Sequence, residues 1–150
     1  MAETSAYVSR VALTLLGATA LYQGCWAQFA PRSFYDRFPA GLGWVGPTGP
    51  YAEHFVRDIG GLINGLGVLA LAAAVVLTRS LLVTTAIAWL VYAVPHLIYH
   101  VVHPLPTMQA ANVTFLTAQV VLPVIGLAGA MAPRSRPAKH GRDGSMRAGR

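Results

Sequence analysis

The sequence predicts an all-α membrane protein, a bundle of four helices running up-down-up-down, with a long outer loop between the first and the second. Three observations lead there. The chain has 150 residues, of which 55% are apolar and only 11% charged, and its mean hydropathy is +0.52. A water-soluble domain covers its surface with roughly a quarter charged residues. Four apolar segments recur along the chain, each close to the ~20 residues that cross a hydrocarbon core of ~30 Å. The net charge of +6 is concentrated, with six of the eleven basic residues in the last seventeen positions. A basic block beside an apolar segment reads as a juxtamembrane tail rather than a nucleic-acid surface.

The first segment runs from about Val8 to Phe29, the second from Tyr51 to Leu77, the third from Leu81 to Val102 and the fourth from Met108 to Met131. All are too long for strands, and in lipid a helix satisfies its own backbone groups. Arg10 followed by an apolar run and Ala18-Thr19-Ala20 also fits a cleaved signal peptide. Glu3 in the charged region and the continuation of the apolar run to Phe29 favour a retained helix. The single cysteine, Cys25, excludes a disulfide framework and a Cys-based zinc site. Within an apolar helix it reads as a small packed residue. Tyr22-Gln23-Gly24 lacks the apolar and small residues that lipidation requires before a cysteine.

Residues 30–50, rich in Pro and Gly, carry Phe34, Tyr35, Phe38 and Trp44 among polar neighbours. Aromatic residues in that setting favour the membrane–water interface, so the loop is expected to lie along the surface. Thr78-Arg79-Ser80 makes a tight hairpin of the second and third segments, and Pro104 and Pro106 stop the third. From Pro133 the composition predicts disorder. The domain organisation is therefore a transmembrane domain over residues 1–132 and a basic cytoplasmic tail over 133–150.

Orientation follows the positive-inside rule. Arg10, Arg79 and the six tail residues fall on one side, against Arg32, Arg37 and Arg57 on the other, eight to three. Both termini are expected in the cytoplasm, with the long loop outside the plasma membrane. The expected partners are the lipid bilayer, anionic lipids at the tail, and homo- or hetero-oligomeric neighbours.

Polar residues within the segments are grouped. Glu53, Arg57, Gly60 and Asn64 share one face of the second segment, with His54, Asp58, Gly61 and Gly65 on the adjoining arc. This arc is expected to face other helices, with Gly61-xxx-Gly65 as a close-packing pair. Phe55, Ile59, Leu62, Ile63 and Leu66 form the opposite arc, expected to meet lipid. Glu53–Arg57 and His54–Asp58 have the i,i+4 spacing of ion pairs, and Asp58 falls about 9 Å inside the boundary. On the third segment Trp89, Tyr92, His96, His100 and His103 form a stripe about 60–80° wide, interrupted by Pro95. Antiparallel packing brings His54 and Asp58 level with His96 and His100. Tyr22, Gln23, Trp26, Asn112 and Gln119 add polarity at the same end, while the other end is nearly all Ala, Val and Leu.

Three readings compete for this cluster. In the first, the polar groups hydrogen-bond across helices and fix the bundle. In the second, Glu53, His54, Arg57, Asp58, Asn64, Tyr92, His96, Tyr99 and His100 line a pocket or path for a small ligand, ion or proton. In the third, His54, Asp58, His96 and His100 hold a metal, or His54 with His96 or His100 holds haem. Repeated Glu-x-x-His motifs of a di-iron site are missing, as are phosphate loops and Ser-His-Asp arrangements. His140 lies in the tail.

Ser33-Phe34-Tyr35-Asp36-Arg37-Phe38-Pro39, Gly49-Pro50-Tyr51-x-Glu53-His54-x-x-Arg57-Asp58-x-Gly60-Gly61-Leu62 and Val94-Pro95-His96-x-x-x-His100 carry a resemblance over residues 8–132. The layout resembles small bacterial, particularly actinobacterial, four-helix membrane proteins of unknown function, and in broad arrangement the DoxX-type family. The resemblance implies fold and location, and no catalytic role. The expectation is a membrane accessory or small-ligand-binding protein rather than an enzyme. The alternatives are a metal- or haem-dependent redox protein and a small transporter subunit.

Overall fold

Apolar and small residues recur every three or four positions on each long segment, and that spacing sets which faces pack. The computed structural model describes residues 2–104 and 109–128. Among them are five α-helices and no strand. They are α1 (Ala2–Phe29), α2 (Pro31–Arg37), α3 (Glu53–Val76), α4 (Arg79–Val102) and α5 (Gln109–Gly126), with a single 3₁₀ turn at Gly46–Thr48. The prolines of the third connection beyond Pro104, the end of the fourth apolar segment, His140 and the basic tail lie outside the described residues.

The helix α1 buries Ser9, Leu13, Leu16, Ala20, Gln23 and Ala27, a seam of alternating three- and four-residue steps. The same spacing recurs on α3 (Gly60, Ile63, Gly67, Ala70, Ala74) and on α5 (Asn112, Leu116, Gln119, Pro123, Gly126). Such seams pack at shallow crossing angles. The tightest pairing is α1 against α3, and glycine makes it possible. A Cβ on Gly60 would meet Gln28 N at 2.6 Å and Gly24 O at 2.9 Å, and one on Gly17 would meet Gly67 O at 2.9 Å. Gly17 and Gly24 thus face Gly67 and Gly60 across two antiparallel helices. Leu13 fills the space over Gly126, where an added Cβ would meet its Cδ2 at 2.7 Å, and α4 closes the arrangement against α3 and α5.

Two expectations about α3 are corrected here. Gly61 and Gly65 are not the packing pair: Gly61 has only the Gln28 side chain within reach, and nothing lies within 4 Å of Gly65. Ile63 is buried, with Ile59 and Leu66 packed against the same core, while Phe55 and Leu62 are exposed. The helix is turned by about one residue from the expected phase. The reason is that its charged residues lie in the first two turns, where all four are exposed, so they do not dictate which face turns inward.

Two apolar clusters result. Leu13, Leu16, Ala20, Ile63, Ala70, Ala73, Ala74, Leu82 and Trp89 form a dry core toward one end, where the Trp89 indole N–H donates to Leu66 O at 3.2 Å. Ala27, Phe34, Phe38 and Trp44 form the other, beneath the α1–α3 connection. That connection is partly helical and folds onto the end of the bundle. Pro31 opens α2, as suits a first-turn proline. Phe34 and Phe38, one helical turn apart, are buried, and so is Trp44.

Among the described residues three helices are long and apolar enough to cross a membrane, namely α3, α4 and α5. The sequence expectation counted α1 as a fourth; it is longer, but Arg10, Tyr22, Gln23 and Gln28 dilute its apolar character. Cys25, expected to be packed, is exposed and lies 3.5 Å from Asn64 Oδ1. It lies on the outer edge of the α1–α3 seam rather than in it.

Candidate functional site

The end of the molecule that carries the α1–α3 connection holds a cavity of about 310 Å³. Its roof comes from the short helix and the turns after it. Phe38 N donates to Phe34 O at 2.9 Å, and Trp44 N donates to Phe38 O at 2.7 Å, so the chain doubles back and lays Trp44 on Phe38. Gly43 makes that return at a φ of +65°, and a Cβ there would meet Asp36 O at 3.0 Å. The Tyr35 hydroxyl donates to the Gly46 and Gly49 carbonyls and ties the following segment to α2. Arg32 pairs with Asp36 at 2.8 Å and stacks over Tyr51, 5.1 Å from the ring centre.

The walls come from the long helices: Phe55, Val56 and Ile59 of α3, Tyr92, His96 and His100 of α4, Asn112, Phe115 and Leu116 of α5, and Gln23 of α1. Phe115 packs edge-on against Phe38 and Trp44, with centroids 6.2 and 6.1 Å apart. The expected stripe on α4 is a continuous ladder of rings. Trp89 meets Tyr92 at 6.0 Å, Tyr92 meets His96 at 5.3 Å, and His96 stacks on His100 at 5.0 Å. Beside the wall, the Gln119 amide donates to Gln23 Oε1 at 3.4 Å. No Arg, Lys, Asp or Glu is among the described lining residues.

Several buried polar atoms here find no hydrogen-bond partner among the described residues. They are Trp44 Nε1, His100 Nδ1, Asn112 Oδ1 and Gln119 Oε1. The first three belong to residues that line the cavity, and these residues are 8%, 9% and 5% exposed. A buried donor or acceptor without a partner costs about 1–3 kcal/mol.

The residues singled out in the sequence divide between two places. Tyr92, His96 and His100 line the cavity. Glu53, His54, Arg57, Asp58 and Asn64 do not, and form an outward patch with the end of α1. Both expected i,i+4 pairs are present there, Arg57–Glu53 at 2.8 Å and His54–Asp58 at 3.2 Å. The His54 side chain is 93% exposed and that of Asp58 58%. Arg57 also donates to the Gln28 carbonyl at 2.6 Å, placing a cation on the last turn of α1. Asn64 donates to Gln28 Oε1 at 2.8 Å. Tyr99 is exposed and stacks on His103 at 4.4 Å. The set His54, Asp58, His96 and His100 does not assemble: among the described residues no three His, Cys, Asp or Glu side chains are placed to hold one metal ion.

Reading the sequence named Phe34, Phe38 and Trp44 only as interface aromatics and did not single out Phe115. The available signal was the four-residue spacing of Phe34 and Phe38 after Pro31, which is helical and one-sided.

Residues 8–130 match the family described as a domain of unknown function (DUF4345). No curated protein and no solved structure matches the chain.

Proposed function

The chain belongs to the DUF4345 family, and we propose that it is a multi-pass plasma-membrane protein of four spans that admits a small, neutral, mostly apolar molecule into the cavity under its aromatic roof. The membrane part of this reading rests on the three apolar helices and on the side chains they turn outward, among them Leu62, Val68, Val75, Ile87, Val91 and Ile98. So large an exposed apolar surface calls for lipid around it. The helix α1 joins as the fourth span because its glycines lock it against α3 at backbone contact, so a bilayer that takes one takes both. Basic-residue placement puts both termini in the cytoplasm and the roof outside. The tail then meets anionic lipid, at roughly 1 kcal/mol per basic residue near the surface.

The observation that carries the ligand reading is the character of the lining. It is aromatic and aliphatic with a few neutral polar groups, and free of charged side chains among the described residues. Its volume of about 310 Å³ lies at the small end of ligand pockets, which run from about 300 to 1,000 Å³ and combine apolar walls with few polar groups.

The test uses the full chain in lipid nanodiscs and radiolabelled naphthalene. Saturable uptake above that of protein-free nanodiscs is expected, and Val56→Trp, which fills the cavity from α3, should abolish it while helicity is retained. Absence of saturable uptake by the native chain, or uptake undiminished in the variant, would contradict the reading.

A further inference from the structure

We infer that the molecule taken into this cavity is a planar, unsaturated ring compound, and that the rings of Phe38, Trp44 and Phe115 select it over a saturated molecule of similar size. This inference rests on the cavity being a ligand site, and it adds the substrate class. More than a third of the described lining residues are Phe, Tyr or Trp, whereas such residues make up 9% of the chain. They come from the roof and from α3, α4 and α5 alike, so a bound molecule meets rings from several elements. Packing alone does not call for them. The dry core at the other end is built from Leu, Ala and Ile63, with Trp89 as the one ring among its buried members.

The mutual angles of three rings carry the argument. Phe38, Trp44 and Phe115 all line the cavity and meet pairwise, with centroids 6.3, 6.2 and 6.1 Å apart. Their planes stand at 86°, 67° and 65° to one another, close to the three faces of a box corner. A flat ring laid against this corner parallel to one of them is steep to the other two. Offset-parallel and edge-to-face are the arrangements that aromatic quadrupoles favour, and each adds attraction beyond the area buried. A saturated ring lacks that quadrupole and gains only area and dispersion. Selectivity therefore follows whichever of the three the guest lies along. The corner is also held in place. Phe34 packs on Phe38 at 4.7 Å, and Trp44 N donates to Phe38 O at 2.7 Å. Tyr92 and His96, at 78° to each other and 5.3 Å apart, continue the pattern onto α4. An ionised aromatic guest is disfavoured, since no charged side chain is among the described lining residues to offset its desolvation.

The test compares naphthalene with tetralin and trans-decalin, which keep the fused ten-carbon skeleton and saturate one or both rings. Each binds to the full chain in nanodiscs of deuterated lipid and is corrected for partition into protein-free discs. Naphthalene should bind about 10-fold tighter than trans-decalin, the factor that two aromatic contacts supply, with tetralin between them. Phe115→Leu should cut this ratio to about threefold or less. Where that variant fails to fold, the native chain still decides: bound naphthalene should show intermolecular NOEs to the ring protons of Phe38, Trp44 and Phe115. Saturable binding of all three probes with equal affinity would overturn the ring assignment and leave the cavity reading standing. A preference for naphthalene that persists in Phe115→Leu, or that comes without NOEs to these rings, would overturn the assignment to this corner. If no probe binds saturably, the cavity reading falls and the substrate class with it.

Discussion

Glycine placement on α1 and α3 decides how closely the two helices approach, and single positions along them should respond very differently to one added methyl group. Gly60→Ala puts a Cβ against the backbone of Gln28 and Gly24, which no side-chain rotation relieves. Overpacking of this kind costs about 1–3 kcal/mol. Gly65→Ala, four residues from Gly61 on the open face, meets nothing and should change stability by less than about 0.5 kcal/mol, with a gain in helix propensity. Denaturation in mixed micelles, followed by circular dichroism, distinguishes the two. Equal effects would mean that α1 and α3 pack through other faces. The pair also explains why residue-level reading fell short. Gly60, Gly61, Gly65 and Gly67 all stand within two turns, and small-residue spacing alone admits more than one seam. The choice was made by Ile63, Ala70 and Ala74 further down the helix, whose burial fixes the phase.

At the scale of elements, the short helix α2 and the turns after it behave as a roof held by aromatic contacts. Phe38 is its centre, within 6.3 Å of the rings of Tyr22, Trp26, Phe34, Trp44 and Phe115. Phe38→Ala should cost about 3–5 kcal/mol at this site, expressed as local opening of the roof rather than loss of the dry core. Hydrogen exchange should accelerate at Phe34–Trp44 and remain slow at Ala70–Ala74. Acceleration in both regions alike would show that the roof and the core are one cooperative unit. The long helices were legible from their length, their apolar content and the prolines and short polar runs between them. The i,i+4 pairs on α3 were legible as well, because they need only local geometry. The α2 helix was not, since seven residues give too short a period to stand out among neighbouring Pro and Gly. The cavity was half legible: the α4 stripe of Tyr92, His96 and His100 is written in one helix, whereas Phe34, Trp44, Asn112 and Phe115 meet it only through tertiary packing. The expected gathering of His54 and Asp58 with His96 and His100 failed for the same reason. Equal depth on two helices does not bring side chains together when one set projects outward.

Taken whole, the molecule is polarised, with a dry core of Leu, Ala, Ile63 and Trp89 at one end and an aromatic cavity at the other. Its proposed orientation is open to direct measurement. In a Cys25→Ser background, a cysteine at Thr48 should react with a membrane-impermeant maleimide added outside cells, and one at Ser135 should not. Outside labelling at Ser135 would reverse the assignment. The polarity also sets where the proposed ligand would act. Binding at the roofed end should protect the roof and the α5 turn that carries Asn112, while leaving the far core as it was. Amide hydrogen exchange of the full chain in nanodiscs, with and without saturating naphthalene, tests this most directly. The account predicts slower exchange confined to Trp44–Thr48 and Asn112–Leu116, with Leu13–Leu16 and Ala70–Ala74 unchanged. Protection spread evenly over all four long helices, or none at the roof, would contradict it.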